Sequence, residues 1–116
     1  MAITLYGIPN CDTVKKARNW LEQENIAYQF HDFRKDGLES AQVEQWIDEL
    51  GWETLVNKRS TSWKALDDNQ RKSMDAKSAL AAILESPTLI KRPLLDNGKS
   101  RNVGFKAADY EQILKT

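Results

Sequence analysis

The chain has 116 residues, 41% of them hydrophobic, and its 17 basic and 17 acidic side chains cancel. This length suits one domain that buries a core without disulfides or metals, and the balanced charge excludes a global field that would hold a polyanion such as nucleic acid. The amino terminus has no basic stretch leading into an apolar one, and no run of about 18 apolar residues occurs. We therefore expect neither a secretory signal nor a membrane span.

Two strands and a helix are predicted in the first third of the chain. Residues 2–7 form an apolar run that the turn at Pro9-Asn10 ends. A helix is predicted from Asp12 to about Glu24, because apolar residues recur there on one face. Residues 26–31 alternate apolar and polar side chains, as in a half-buried strand. The order strand, helix, strand implies a parallel crossover.

The middle of the chain is predicted to be helical. Apolar residues from Val43 to Leu50 recur at helical intervals until Gly51. Two further helices are predicted at 67–74 and 75–85, with Asp75 as the cap of the second. The block spans roughly 55 residues, too long for a simple connection. We expect an inserted helical subdomain over about residues 38–86.

A hairpin and a last helix are predicted to complete the chain. Short strands around Leu94-Leu95 and residues 101–103 flank Asn97-Gly98, a pair typical of hairpin turns. A terminal helix carries Tyr110. We therefore predict that residues 1–116 form a single α/β domain with a mixed sheet and the helical insertion.

Cys11 is the only cysteine, and it lies between the first strand and the first helix. It cannot form an internal disulfide, and a free thiol is most easily kept in a reducing compartment, so we expect a cytoplasmic protein. Helix N-termini favour thiolate over thiol, which makes Cys11 a candidate nucleophile. The alternative is that Cys11 is a small buried apolar residue without a chemical role.

Lys15, one turn further on, either adds positive charge near the sulfur or is merely solvated. Val14 stands where a Cys-x-x-Cys motif needs its second cysteine.

The remaining histidine and tryptophans are given structural roles. His31, next to Asp32 at a strand end, is interpreted as a structural histidine rather than a general base. The four tryptophans are expected to pack in the fold rather than to stack on bases, with Trp63 near the rim of the active site.

Several segments together resemble a known superfamily. The runs YGIPNCDTVKKA at 6–17 and KRPLL at 91–95 resemble the arsenate reductase (ArsC) and Spx superfamily, and specifically its YffB-like branch. Other matching stretches follow in the same order at 31–38, 49–52, 55–61 and Trp63. The similarity covers essentially the whole chain.

The resemblance implies a thioredoxin-like fold with a helical insertion, and it assigns site residues. It makes Cys11 the nucleophile. We expect no metal site. The resemblance implies that Arg59 and Arg92 hold an anionic substrate or a glutathione adduct, as the planar guanidinium suits carboxylates and oxyanions. It also implies a cis proline, Pro93, against the cysteine. The residues assigned to substrate or glutathione binding are Arg59, Arg92, Pro93, Lys15 and Asn10.

Two positions depart from the arsenate reductase pattern. Enzymes of that type usually carry a histidine where this chain has Gly7, and a third arginine where it has Gly104. Arg101 and Lys106 are nearby basic residues, but neither stands at the matching position. The resemblance therefore supports thiol chemistry more strongly than arsenate reduction.

The expected function is that of a glutathione-dependent thiol reductase. The Cys11 thiolate attacks an electrophilic substrate or a glutathione mixed disulfide, and external glutathione resolves the intermediate. Arsenate is a subordinate substrate, and neither nucleic acid nor a membrane is an expected partner. The alternative is an Spx-like regulator that binds RNA polymerase without turnover, although the missing second cysteine argues against an Spx-type redox switch. A third reading is a family member whose cysteine is no longer used.

Overall fold

The computed structural model describes residues 2–115. Within them the chain divides into two compact units. One consists of the described residues up to Asp36 together with those from Arg92 onward, and the other runs from Gly37 to Lys91. Among the described residues, no helix combines the length and the apolar character needed to cross a membrane.

The first unit is built on a four-stranded mixed sheet. Its strands are β1 (Thr4–Gly7), β2 (Gln29–Asp32), β3 (Leu94–Asp96) and β4 (Arg101–Val103). The strand order is β2-β1-β3-β4, in which β1 runs parallel to β2 and antiparallel to β3, and β3 runs antiparallel to β4. The predicted α/β class, with a parallel crossover and a hairpin in one mixed sheet, is confirmed.

Two helices cover this sheet and close its core. The helix α1 (Asp12–Gln23) forms the crossover, and its buried residues are the predicted apolar stripe of Val14, Ala17 and Leu21. The helix α7 (Ala107–Lys115) buries Tyr110. The core joins Leu5, Leu95, Ala17, Leu21 and Tyr110, each 0–1% exposed. The aromatic rings of Trp20 and Phe105 pack edge-on against Tyr110, with centroids 5.8 and 4.8 Å away.

The second strand starts later than the alternating pattern predicts. We predict it from Ile26, but β2 begins at Gln29. Asn25 adopts a left-handed backbone with a φ of 57°, and the Ile26 N–H bonds to the Leu21 carbonyl at 2.9 Å. Residues 24–26 therefore complete the end of α1 instead of joining the sheet. Ile26, Tyr28 and Phe30 nevertheless pack against the core, as their alternation predicts.

The hairpin turn is organised by one buried amide side chain. Asn97 is only 6% exposed, and its Oδ1 accepts the N–H groups of Lys99 and Ser100 at 3.0 and 2.8 Å. Gly98 has a φ of 88°, which glycine adopts at little cost. The predicted Asn-Gly hairpin is confirmed.

The second unit is mainly helical. Its helices are α2 (Ser40–Leu50), α3 (Trp52–Leu55), α4 (Thr61–Lys64), α5 (Asp68–Lys72) and α6 (Ala76–Glu85), followed by a 3-10 turn at Pro87–Leu89. The predicted cap of α6 is confirmed: Asp75 accepts the Ser78 N–H, and the Ser78 hydroxyl oxygen accepts the Asp75 N–H. The irregular stretch after Gly51 contains α3 and α4, which are too short to give a periodic signal.

The core of the second unit lies between two of its helices. Val43, Trp46 and Ile47 of α2 are buried, as are Ala79 and Ile83 of α6, and the two helices pack together. That residues 1–116 form a single domain with an insertion at about 38–86 stays a prediction.

Backbone pairing extends the second unit beyond α6. A β-bridge joins Val56 to Ile90, and the Lys91 N–H bonds to the Leu55 carbonyl at 2.8 Å. Both contacts tie the end of the segment back to the carboxyl end of α3, at Leu55 and Val56.

Candidate active site

Cys11 is the N-cap residue of α1. Its backbone is extended, with φ −98° and ψ 128°, and its carbonyl accepts the Lys15 N–H at 2.9 Å, the first bond of the helix. The thiol is half-buried. Within residues 2–115 the Cys11 side chain makes no hydrogen bond that caps the helix. The positive end of the helix dipole makes such a position favourable for an anionic ligand.

Close packing of a strand against a helix holds the cysteine loop, residues 8–11. The loop leaves β1 at the buried Gly7 and enters α1. A Cβ atom added to Gly7 would lie 2.8 Å from Cγ2 of Val14, in the first turn of that helix. Ile8 is buried, whereas Asn10 is exposed on the loop beside Cys11. The short loop therefore turns tightly and leaves Asn10 exposed beside the half-buried Cys11.

The sheet register brings four backbone positions into one row at the end of β1, which we call the edge row. Gly7 lies opposite Asp32 of β2. Continuing the register of β1 against β3 by one residue places Pro93 on the other side of Gly7. The Gly104 N–H then donates to the Pro93 carbonyl at 2.9 Å. The cysteine loop and the segment before β3 therefore leave the same end of the sheet.

The Arg92-Pro93 peptide bond is cis. Pro93 is buried, and Arg92 is half-buried at the start of the segment. The cis proline implied by the family resemblance is thus present, directly before β3. The first unit brings Cys11, Asn10 and the Arg92-Pro93 pair together at one sheet end.

Lys15 is exposed on the outer surface of α1. It lines an open cavity of about 270 Å³ with Arg18, Asn19 and Glu22 of the same helix. The expectation that its ammonium group adds charge near the Cys11 sulfur stays a prediction.

Arg59 belongs to the second unit, where it is exposed on the turn between α3 and α4. Its N–H donates to Oδ1 of Asn57 at 3.0 Å. The N–H of Ser60 donates to the Asn57 carbonyl at 3.1 Å, and the Asn57 N–H donates to Leu89 at 2.7 Å. The backbone on both sides of Arg59 is therefore anchored, and its binding role stays a prediction.

His31 packs against an aromatic ring in the sheet. Its ring centroid lies 4.8 Å from that of Tyr6, the residue opposite it in the parallel pair β1 and β2. This contact is what a structural histidine would make. In the described part of the chain, no group of three or more His, Cys, Asp and Glu side chains is arranged to hold a metal ion.

A lysine lies against two tryptophan rings beside Arg59, and sequence reasoning missed it. Nζ of Lys58 lies over the rings of Trp52 and Trp63, 5.5 and 5.7 Å from their centroids. Both rings are half-buried. We call these three residues the Lys58 sandwich. Their spacing follows neither a helical nor a strand period, so the sequence carries no signal for it.

Comparison with known proteins assigns the chain to a family. The ArsC family matches residues 6–113. An uncharacterized protein of Haemophilus influenzae is 49% identical, over 94% of this chain and 96% of its own. The global transcriptional regulator Spx of Streptococcus agalactiae is 28% identical, over 97% of this chain and 82% of its own.

Solved structures agree with this assignment. A YffB protein superposes with a TM-score of 0.93 at 40% identity, covering 97% of this chain and 99% of its own. An arsenate reductase (ArsC) related protein from Brucella melitensis superposes with a TM-score of 0.80 at 42% identity, covering 100% and 97%. The predicted superfamily and the thioredoxin-like fold are confirmed, and the chain belongs to the YffB-like branch of the ArsC family.

Proposed function

We propose that the protein is a cytoplasmic, glutathione-dependent thiol reductase with Cys11 as its single nucleophile. The observation that carries this proposal is the half-buried Cys11 at the N-cap of α1, at the sheet end where the cis Arg92-Pro93 pair precedes β3. In this arrangement Cys11 and Arg92 belong to neighbouring segments at one end of the sheet. Membership of a family that includes arsenate reductase-related proteins supports oxidoreductase chemistry.

The reaction proceeds through two thiol–disulfide exchanges. The Cys11 thiolate attacks the glutathione sulfur of a mixed disulfide, an S–S bond forms between Cys11 and glutathione, and the substrate thiolate leaves and takes a proton from water. A second glutathione thiolate then attacks this adduct. Oxidised glutathione leaves and the Cys11 thiolate is regenerated. The external thiol is required because the chain has a single cysteine.

Glutathione binding is assigned to the cationic residues and the loop. Glutathione carries two carboxylates, and the planar guanidinium groups of Arg92 and Arg59 suit bidentate pairing with them. Lys15 is assigned as a further positive charge, and Asn10 and Pro93 are assigned as the neighbours of the bound glutathione. The proposed reaction uses no metal ion.

Arsenate is a subordinate substrate of the same chemistry in this proposal. Both departures from the arsenate reductase pattern fall in the edge row, at Gly7 and Gly104. Gly7 has no room for a Cβ beside Val14, and Gly104 has a φ of 81°. The row therefore offers backbone where arsenate reductases usually offer a histidine and an arginine.

A second candidate function is that of a regulator that binds RNA polymerase without turnover. The similarity to an Spx regulator, which extends over 97% of the chain, favours it. Pull-down of RNA polymerase by the wild-type protein and by Cys11→Ser tests this candidate. Retention of the polymerase by both proteins, without reductase turnover, would support it.

The test of the reductase proposal follows the state of Cys11 directly. The full chain is incubated with oxidised glutathione, and its intact mass is recorded beside that of Cys11→Ser. Turnover is then measured with a glutathione mixed-disulfide substrate and reduced glutathione. We expect one glutathione adduct and turnover in the wild type, and neither in the variant. No adduct and no turnover would refute the reductase, and absence of polymerase binding as well would indicate an unused cysteine.

A further inference from the structure

The Lys58 sandwich lies next to a residue that the proposed function uses. The ammonium group lies 5.5 and 5.7 Å from the two indole centroids, within the distance at which a cation is attracted to an aromatic face. Trp52 begins α3, and Trp63 lies in α4. The lysine between them therefore links the two helices that flank the Arg59 turn.

Hydrogen bonds within the same turn restrict it further. The hydroxyl of Ser60 donates to the Asn57 carbonyl at 2.7 Å and accepts the Trp63 N–H at 3.1 Å. Ser60 is only 7% exposed, whereas Lys58 and Arg59 are exposed. The turn thus has a buried polar anchor on its inner side and the Lys58 sandwich on its outer side.

We propose that the Lys58 sandwich is a positioning device that holds the Arg59 turn ready to bind a carboxylate of glutathione. This inference rests on the proposed function, which gives Arg59 that ligand. An exposed arginine on a mobile turn loses conformational freedom when it binds, and that loss weakens binding. Because the ammonium group of Lys58 is held against the rings of both Trp52 and Trp63, the backbone that carries Arg59 is ordered before the ligand binds.

The competing role for Lys58 is a direct charge on the ligand, and the two roles predict opposite effects of removing an indole. If the sandwich positions Arg59, Trp63→Leu weakens binding although the charge of Lys58 is kept. If Lys58 contacts glutathione itself, Trp63→Leu frees its ammonium group, and binding is unchanged or tighter. Lys58→Met weakens binding in both cases, so Trp63→Leu separates them.

The binding test uses calorimetry of reduced glutathione with the full chain carrying Cys11→Ser, which prevents exchange. We expect Lys58→Met and Trp63→Leu each to raise Kd by about two- to fivefold, while Lys58→Arg keeps it. In an Arg59→Ala background both effects should vanish, because positioning acts through Arg59. Equal weakening with and without Arg59 would indicate general structural damage and overturn the inference.

A second measurement does not depend on glutathione. Hydrogen exchange of the Arg59 amide, followed by NMR, reports the bond to Asn57. We expect faster exchange in Lys58→Met and Trp63→Leu than in the wild type and in Lys58→Arg. Unchanged exchange overturns the inference even if glutathione binds. Accelerated exchange without any glutathione binding to the Cys11→Ser parent overturns the proposed ligand and leaves the ordering of the turn standing.

Discussion

Gly7 and Val14 approach so closely that a single added carbon has no room between them. A Cβ on Gly7 would lie 2.8 Å from Cγ2 of Val14, a distance that Cβ contacts in proteins essentially never show. Gly7 ends β1, and Val14 lies in the first turn of α1. Their contact therefore holds together the two segments that flank the cysteine loop. The geometry at Cys11 therefore depends on a residue without a side chain four positions before it.

Gly7→Ala is expected to lower the free energy of unfolding by about 1–3 kcal/mol, because it overpacks a fully buried contact. Val14→Ala removes the opposing methyl groups, so the double variant should lose less stability than the sum of the two single variants. Urea unfolding of the four proteins measures this. Strictly additive losses would contradict the assigned contact.

Arg92→Met is expected to weaken glutathione binding by about 1.5–3 kcal/mol, the usual contribution of a hydrogen bond to a charged group. Arg92→Lys should recover only part of this loss, because an ammonium group cannot reproduce the planar fork. Binding of reduced glutathione to Cys11→Ser protein provides the measurement.

Lys99→Met is the matched control for this charge. It removes an exposed cation in the hairpin turn. Lys99 follows β3, whereas Arg92 precedes it, so the two residues lie near opposite ends of the strand. Equal losses at positions 92 and 99 would mean that net charge, rather than Arg92, determines binding.

Asp75→Asn is expected to remove a pH-dependent part of the stability. Hydrogen bonds from the N–H and hydroxyl of Ser78 lower the pKa of Asp75 below its ordinary value of 3.8. Because the pKa of Asp75 is lower in the folded chain, its carboxylate stabilises the fold fully at any pH above the pKa of the unfolded chain. This stabilisation is lost as the pH falls through the pKa of the folded chain. The wild type should unfold a few degrees above the variant at pH 7.

Thermal melts of both proteins between pH 2 and 7 follow this difference, and the other carboxyl groups cancel in the comparison. The difference should shrink once the pH falls below about 4. A difference in melting temperature that stays constant over the whole pH range would show that ionisation of Asp75 is not the source of the stabilisation.

Tyr110→Phe is expected to have opposite consequences at neutral and alkaline pH. Burial raises the pKa of Tyr110 above its ordinary value of 10.0. Its hydroxyl lies 3.5 Å from the Gly104 carbonyl oxygen, a long contact, so the variant should lose only about 0–1 kcal/mol at pH 7. Since the folded pKa is the higher one, the wild type loses stability relative to the variant as the pH rises above the unfolded value.

Urea midpoints of the wild type and Tyr110→Phe at pH 7 to 11 test this sign. The urea midpoint of the variant should rise relative to that of the wild type as the pH approaches 11. Parallel curves would mean that Tyr110 ionises as readily in the folded chain as in the unfolded one.

Local signals predicted most of the sheet and its helices. The stripe of α1, the cap at Asp75 and the turn at Asn97 each depend on residues within a few positions of one another, and all three are present. The start of β2 was missed by three residues, because Asn25 turns left-handed and Ile26 bonds back to α1. An alternating pattern identifies the buried face of a segment, but it does not show which amides join the sheet.

The candidate site also has one feature that local sequence predicts and others that it does not. The N-cap position of Cys11 follows from the strand and the helix on either side of it. The alignment of Gly7 with Pro93 in the edge row requires the pairing of strands that are far apart in the chain. The Lys58 sandwich requires two helices to bring their indoles to one ammonium group. Tertiary packing creates these last two features, and no spacing in the sequence encodes them.

The left-handed backbone of Gly104 limits which side chains can be introduced at this position by substitution alone. A side chain other than glycine is strained at a φ of 81°, although no atom stands in its way. The same residue donates its N–H to Pro93, so relaxing its backbone would disturb the proline segment. Placing an arginine at position 104, where arsenate reductases usually carry one, would therefore require the loop after β4 to be rebuilt first.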